Sequence, residues 1–392
     1  SNDKDVFEFQ YNLASKAIEK KILNTDDKTL QNLFSPSEDD ITRETQYSVL
    51  KNELDSLKLF AGVLDINKNS LKVALDVFLQ TPSEDDNIFE AQCDLAKTAF
   101  ENQIIDADDT ILKNLFSPSD NDWIRFTQKS FMRDMLKNKI NADSDDSQKA
   151  FAKAALLKFL AKDDNMNYDL LKKQYDFTQT AVTKGILKAE DKEIITKLLK
   201  KPSNDQNILR AQYDLAKTAV EKGILNAEEP IDKEIITKFL ENPSNDIQVL
   251  EYQCYLAEAI KADDEIFQKL FSPSDDKDIR NTQCGVINNK LYCARSSSDN
   301  LTFVKVALKA FLKNPSNDNG ALIQQSFLAN FAIRKKMLNK DDKNIIINLL
   351  KKPSDDKEVL KYKYKLVNTL IKNGFMEPEE LKEVLDKIKN LI

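Results

Sequence analysis

Histidine is absent from the 392 residues. With it go the commonest general base near neutral pH and the commonest metal ligand, so no Ser/His or Cys/His nucleophile pair exists. Cysteine numbers four, too few and too irregularly spaced for a disulfide framework. Three of them, Cys93, Cys254 and Cys284, prove to share one repeat position, which marks them as packing residues. Glycine is scarce at six, while Lys, Asp, Asn, Leu and Ile dominate, a balance that favours helices with polar connections over sheets. No apolar run approaches the roughly 18 residues of a membrane span. The net charge of −7 argues against a nucleic-acid binder working through bulk positive charge. Ser1 and Asn2 also fit a remnant of recombinant expression, which leaves a removed targeting segment open.

What the chain does have is repetition. FSPSEDD at 34–40 returns as FSPSDND at 116–122 and FSPSDDK at 271–277. Eight of the ten prolines belong to this Pro-Ser signal: Pro36, Pro82, Pro118, Pro202, Pro243, Pro273, Pro315 and Pro353. Between them recurs a glutamine at 10, 46, 92, 128, 174, 212, 253, 283 and 325, and the tenth copy has Lys363. A spacing near 40 residues is the mark of stacked helical repeats. Around Gln212, Ile208, Leu209, Tyr213, Leu215, Ala216 and Ala219 form one apolar stripe at helical spacing. That segment ends at a glycine suited to a left-handed closing turn, as at Gly185, Gly223 and Gly374. A second, shorter segment carries Ile235, Ile236, Phe239 and Leu240 on one face. Each repeat is therefore a longer helix A and a shorter helix B.

The Pro-Ser signal reads as punctuation. Proline ends helix B, the serine hydroxyl caps the next helix A, and the following Asp sits in the first turn, where its charge favours the helix dipole. The rivals are a phosphorylation array at Ser37, Ser83 and Ser119 and a set of cation loops; the latter lack the glycine and glutamate such loops need. The repeat glutamine lies inside the apolar stripe, so its amide must find buried partners. A backbone group of the inter-repeat turn, or the same glutamine of the next repeat, is the expected one.

Copies 2, 4 and 8 are longer and begin with Arg-x-Thr-Gln. Their arginines, Arg43, Arg125 and Arg280, stand where most copies have Leu or Phe. Each lies four residues after Asp39, Asn121 or Asp276, within reach of a local pair; the functional reading makes them anion-binding forks at helix N-termini. Trp123, the one tryptophan, is followed by Arg125, Lys129 and Arg133 along one helical edge, which could dock an acidic partner. Residues 283–300 read as a loop that interrupts helix A, with Cys293 outside the repeat cysteine position. Helix B is rich in lysine, Lys197, Lys238 and Lys309 among them, so a groove lined by helix B would be basic.

The expectation is one all-α array, a right-handed α-solenoid of about ten helix pairs over residues 3–392. Its repeats fall near 6–40, 41–86, 87–122, 123–167, 168–206, 207–246, 247–278, 279–320, 321–358 and 359–392, the last a cap in which Pro378 begins the final helix. The expected function is a non-enzymatic scaffold, without cofactor or metal, that binds a protein or peptide through one face. Its partner is acidic if helix B lines the groove, and partner contacts are expected at Arg43, Arg125, Arg280, Trp123, Arg133, Lys197, Lys238 and Lys309. The alternative is an anion-dependent binder of phospholipid or nucleic acid, or an enzyme with its site in 247–320. A soluble protein of a reducing compartment, or a bacterial effector secreted into a host cytosol, is the expected setting. The Lys, Asn and Ile enrichment fits an AT-rich genome, from which no function follows.

Overall fold

The computed structural model describes residues 3–23, 28–37, 39–59, 68–141, 143–161, 168–293 and 299–391. Two compact units divide the chain, Ser1–Lys188 and Ala189–Ile392. The first contains α1 (Lys4–Glu19), α2 (Lys28–Phe34), α3 (Asp40–Leu59), α4 (Lys68–Phe78), α5 (Asp86–Glu101), α6 (Thr110–Phe116), α7 (Asp122–Asp134), α8 (Asp146–Leu160) and α9 (Tyr168–Thr183). The second contains α10 (Lys192–Leu198), α11 (Gln206–Glu221), α12 (Pro230–Phe239), α13 (Ile247–Ala259), α14 (Asp264–Phe271), α15 (Lys277–Cys293), α16 (Asp299–Lys313), α17 (Asn319–Arg334), α18 (Lys343–Lys351), α19 (Lys357–Lys372) and α20 (Pro378–Leu391). Odd-numbered helices are the A segments and even-numbered helices the B segments, and no strand occurs among the described residues.

Within each unit A packs on A and B on B. In the first unit α1, α3, α5, α7 and α9 contact one another in order, as do α2, α4, α6 and α8. In the second, α11, α13, α15, α17 and α19 form one such series, and α14, α16 and α18 another. The last aromatic of helix B anchors the pair: Phe34, Phe78, Phe116, Phe159, Phe239, Phe271 and Phe311 are all buried. Phe159 meets Phe177 of the next helix A at 5.5 Å between ring centroids, and Tyr213 meets Phe239 at 5.1 Å. Each such ring contributes roughly 1.5–3 kcal/mol from burial alone.

The repeat glutamine explains how the Pro-Ser turns that precede it keep their shape. Its Oε1 accepts from the amide of the Pro-Ser serine, at 2.8 Å from Ser203 to Gln212 and 2.9 Å from Ser119 to Gln128. Its Nε2 donates to the carbonyl just before the proline and to one in the last turn of helix B. For Gln283 these are Ser272 at 2.9 Å and Leu270 at 2.7 Å; for Gln325 they are Asn314 at 3.0 Å and Phe311 at 2.7 Å. Helix B ends in carbonyls without intrahelical partners, and proline offers no N–H to continue the ladder. One buried amide closes that gap, and of the expected partners it is the turn's backbone that it finds.

The serine's role differs from the expectation. In all eight turns the residue two positions on is the N-cap: Asp39, Asp85, Asn121, Asp205, Asp246, Asp276, Asp318 and Asp356 each accept from first-turn amides. The serine Oγ instead accepts from that residue's own N–H, at 3.0–3.2 Å. From that position the Asp or Asn side-chain oxygen reaches the first-turn donors, two of them in most turns, so it takes the cap, and the serine shapes the turn that presents it.

Seven A helices end in a left-handed residue. Three are the expected Gly185, Gly223 and Gly374, and four are Lys21, Gln103, Lys261 and Lys336, with φ between 48° and 58°. The residue after each donates to the carbonyl five back, as Ile186 to Ala181 at 2.9 Å, the paired bonds of a Schellman close. The expected interruption in 283–300 is also corrected. Here α15 continues unbroken to Cys293, with Val286, Ile287 and Leu291 buried, so the apolar spacing outweighs its glycine and asparagines. Residues 294–298 and the Cys293 side chain lie outside the described residues.

Candidate functional site

The long copies depart from this regularity, and α7 does so most. It runs into a single π turn, Met135–Lys139. Such turns concentrate where a helix is re-aimed for function. Trp123 at its start is 70% exposed and Phe126 is 54% exposed. At helical periodicity Trp123 and Phe126 share a face with Thr127, Ser130, Asp134 and Lys137, and Arg133 flanks it. That face borders a groove of about 380 Å³ between α5 and α7, lined in part by Phe89, Phe131, Ser130 and Arg133. Phe89 and Phe131 meet edge to face at 6.0 Å on its floor.

Glu90 and Asp134, which line the groove, belong to an ion cluster with Lys139. Lys139 donates to Glu90 at 2.7 Å, lies 3.3 Å from Asp134 and sits over the Phe131 ring at 5.6 Å. Desolvation opposes its charge, but the bonds to Glu90 and Asp134 outweigh it and raise its pKa. A hydrogen bond from Asn138, aided by Lys139, holds Asp134 below the ordinary carboxylate range. Arg133 and Lys137 stand outside this cluster and are exposed.

The remaining predicted contacts do not assemble into a site. Arg43, Arg125 and Arg280 each turn back on their own Pro-Ser loop, Nη1 donating to the carbonyl of Ser37, Ser119 or Ser274 at 2.7–2.8 Å. Arg280 is 5% exposed and also reaches Asp318, the cap of α17, at 2.9 Å. Lys129 bonds Asp169 of α9, so that part of the basic edge read in α7 faces its neighbour; of Arg125, Lys129 and Arg133, only Arg133 is exposed, flanking the face of Trp123. Lys238 bonds Glu234 at 2.8 Å on its own helix, and Lys197 is exposed on α10. Lys309 bonds the nearly buried Asp342 of the next repeat at 2.7 Å. Lys72 with Asp109 and Lys192 with Asp232 repeat that link between B segments. The lysines read on helix B are therefore partly neutralised by the chain itself, and around α4 and α6 the B segments carry Asp76, Asp106, Asp108 and Asp109.

The repeat cysteines are packing residues. Burial pushes the Cys93 and Cys254 thiols well up, and that of Cys284 to about 11. Among the described residues no group of three His, Cys, Asp or Glu side chains is placed to hold a metal, and no helix is long and apolar enough to cross a membrane.

Sequence reasoning named Trp123 and the basic residues that follow it, Arg133 and Lys137 among them, but missed Phe126, Ser130 and the groove itself. A signal for Phe126 was present. Two residues before the repeat glutamine or its Lys363 equivalent stands a charged residue or Asn in eight of ten copies, and Phe126 and Ile323 are the exceptions. The groove depends on how α5 meets α7, which one helix cannot reveal.

No family model matches the chain, and no curated protein matches it significantly. A solved structure of an engineered protein matches over 94% of both chains at 15% identity, with a TM-score of 0.31. A likeness that slight carries no argument about this chain.

Proposed function

We propose that the protein is a non-enzymatic scaffold of α-solenoid type that binds another protein or peptide through the α7 face and the α5–α7 groove. The single observation that supports this reading is the exposure of Trp123 and Phe126 beside an aromatic-floored groove. Phe9, Leu13 and Ile41 are exposed on α1 and α3 as well, but the α7 pair stands beside a groove with an aromatic floor and basic side chains at its edge. An exposed tryptophan bordered by Arg133 has the composition of an interface hot spot. The partner would place an apolar side chain between α5 and α7 and an acidic group against Arg133 and Lys137.

The test is affinity capture from lysate at low and high salt, with the parent protein and with Trp123→Ala/Phe126→Ala and Arg133→Ala variants. The expected result is a protein held by the parent at both salts, lost from the double aromatic variant and weakened in Arg133→Ala, with unchanged thermal melts. Equal capture by the variants overturns the site. Capture that vanishes with salt overturns the scaffold reading and points to an anion-dependent binder.

A further inference from the structure

Ten copies carry the clamp position, and nine of them bury it. Gln46, Gln92, Gln128, Gln174, Gln212, Gln253, Gln283, Gln325 and Lys363 are at most 3% exposed. Gln10 in α1 is exposed. Three residues further along, the equivalents Val49, Leu95, Phe177, Leu215, Leu256, Val286, Leu328 and Leu366 are buried and Phe131 is half-buried, yet Leu13 is 61% exposed. Val6, four before Gln10, is 43% exposed, whereas Val249 and Val359 at the same position are fully covered. Gln10 and Leu13 line a groove of about 840 Å³ along α1, α2 and the Pro36 turn.

We infer that this face of α1 is the seat of one further helix B and its Pro-Ser turn, carried by chain upstream of Ser1. Three observations fit that occupant. Asp3 caps α1 by accepting from Asp5 and Val6, as Asp205 and Asp246 cap α11 and α13. Ser1-Asn2-Asp3 repeats the Ser-Asn-Asp of 203–205, 244–246 and 316–318, and Ser1 precedes Gln10 by nine residues, as Ser203 precedes Gln212. Gln10 is thus in register to accept from residue 1 and to donate to the carbonyl just before it. A second copy of this chain cannot supply that turn, because all eight of its Pro-Ser turns are held by their own glutamine or by Lys363.

Peptide mapping of the protein from its natural source tests this directly. The expected result is a proline immediately before Ser1, preceded by an apolar-periodic segment ending in Leu or Phe. An unrelated segment there, or a natural N-terminus at Ser1, overturns the inference. A graft tests the seat itself: residues 227–243 fused so that their proline precedes Ser1. Amide exchange in α1 is expected to slow about tenfold or more on fusion, and Gln10→Leu is expected to abolish the slowing while leaving the unfused chain unchanged. Unchanged exchange on fusion overturns the inference. So does a dimer of the unfused chain, seen by sedimentation, that Leu13→Asp dissolves.

Discussion

The Pro-Ser turns and the exposed face of α7 are built from the same kinds of side chain, and their contents meet opposite fates. In the seven turns that keep the glutamine, the demanding groups are answered within about fourteen residues: amide by backbone, guanidinium by carbonyl, capping side chain by first-turn donors. On α7 the chain's one tryptophan and a neighbouring phenylalanine are left to solvent, and the helix ends in a π turn where its short counterparts close in a left-handed residue. A motif repeated eight times is here a statement about construction. The departure from it is where binding is sought.

The sharpest way to test that contrast is to remove a clamp. Gln283 is fully buried and makes three bonds, so Gln283→Leu strands an amide and two carbonyls. It should lower stability by about 3 kcal/mol in urea melts; a variant as stable as the parent would show the ladder to be incidental. Next comes the closing residue. Gly223 has φ +69°, and Gly223→Ala should cost about 1 kcal/mol by thermal melt, because a Cβ disfavours that region.

Lys363 offers a test in the opposite direction. It takes the clamp position and donates to Leu350 and Lys352, but it has no acceptor for the serine amide. Burial, with help from Lys352, lowers its pKa to about 8. The unfolded chain therefore binds this proton more tightly than the folded one. Stability is reduced in full below pH 8 and recovers as pH rises toward the ordinary lysine value of about 10.4. Lys363→Gln should raise stability by about 1 kcal/mol at pH 7 and flatten urea midpoints between pH 8 and 10. The smallest effect belongs to the other side of the contrast: Trp123→Ala and Phe126→Ala should each shift stability by less than about 0.5 kcal/mol. A larger loss would mean that the α7 face is packed after all.

The helix pairs were legible because Ile208, Leu209, Leu215 and Ala219 repeat at a period only a helix satisfies, and because proline marks each end. The buried amide was legible because Gln212 lies inside that stripe. The serine was misassigned as the cap because serine and aspartate both cap well, and only geometry shows which oxygen reaches the first-turn amides. Within 283–300, residues 283–293 were misread as a loop because Gly285 and the asparagines suggest turns, while Val286, Ile287 and Leu291 supply enough burial to keep α15 helical. Lys309 looked available for a partner because Asp342, which engages it, is 33 residues away in sequence and belongs to the next repeat.

Each clamp also has a kinetic meaning. It joins residues only nine to fourteen apart, so closing the loop orders few residues, and such short loops close in tens to hundreds of nanoseconds. Every turn can find its register before distant helices meet, and the chain need not search for long-range pairings to set its connections. Low contact order of this kind favours fast folding that can start at any repeat and spread to its neighbours. It also means that a repeat can be gained or lost by duplication with its turn chemistry intact, since everything that shapes the turn travels in one short stretch of sequence.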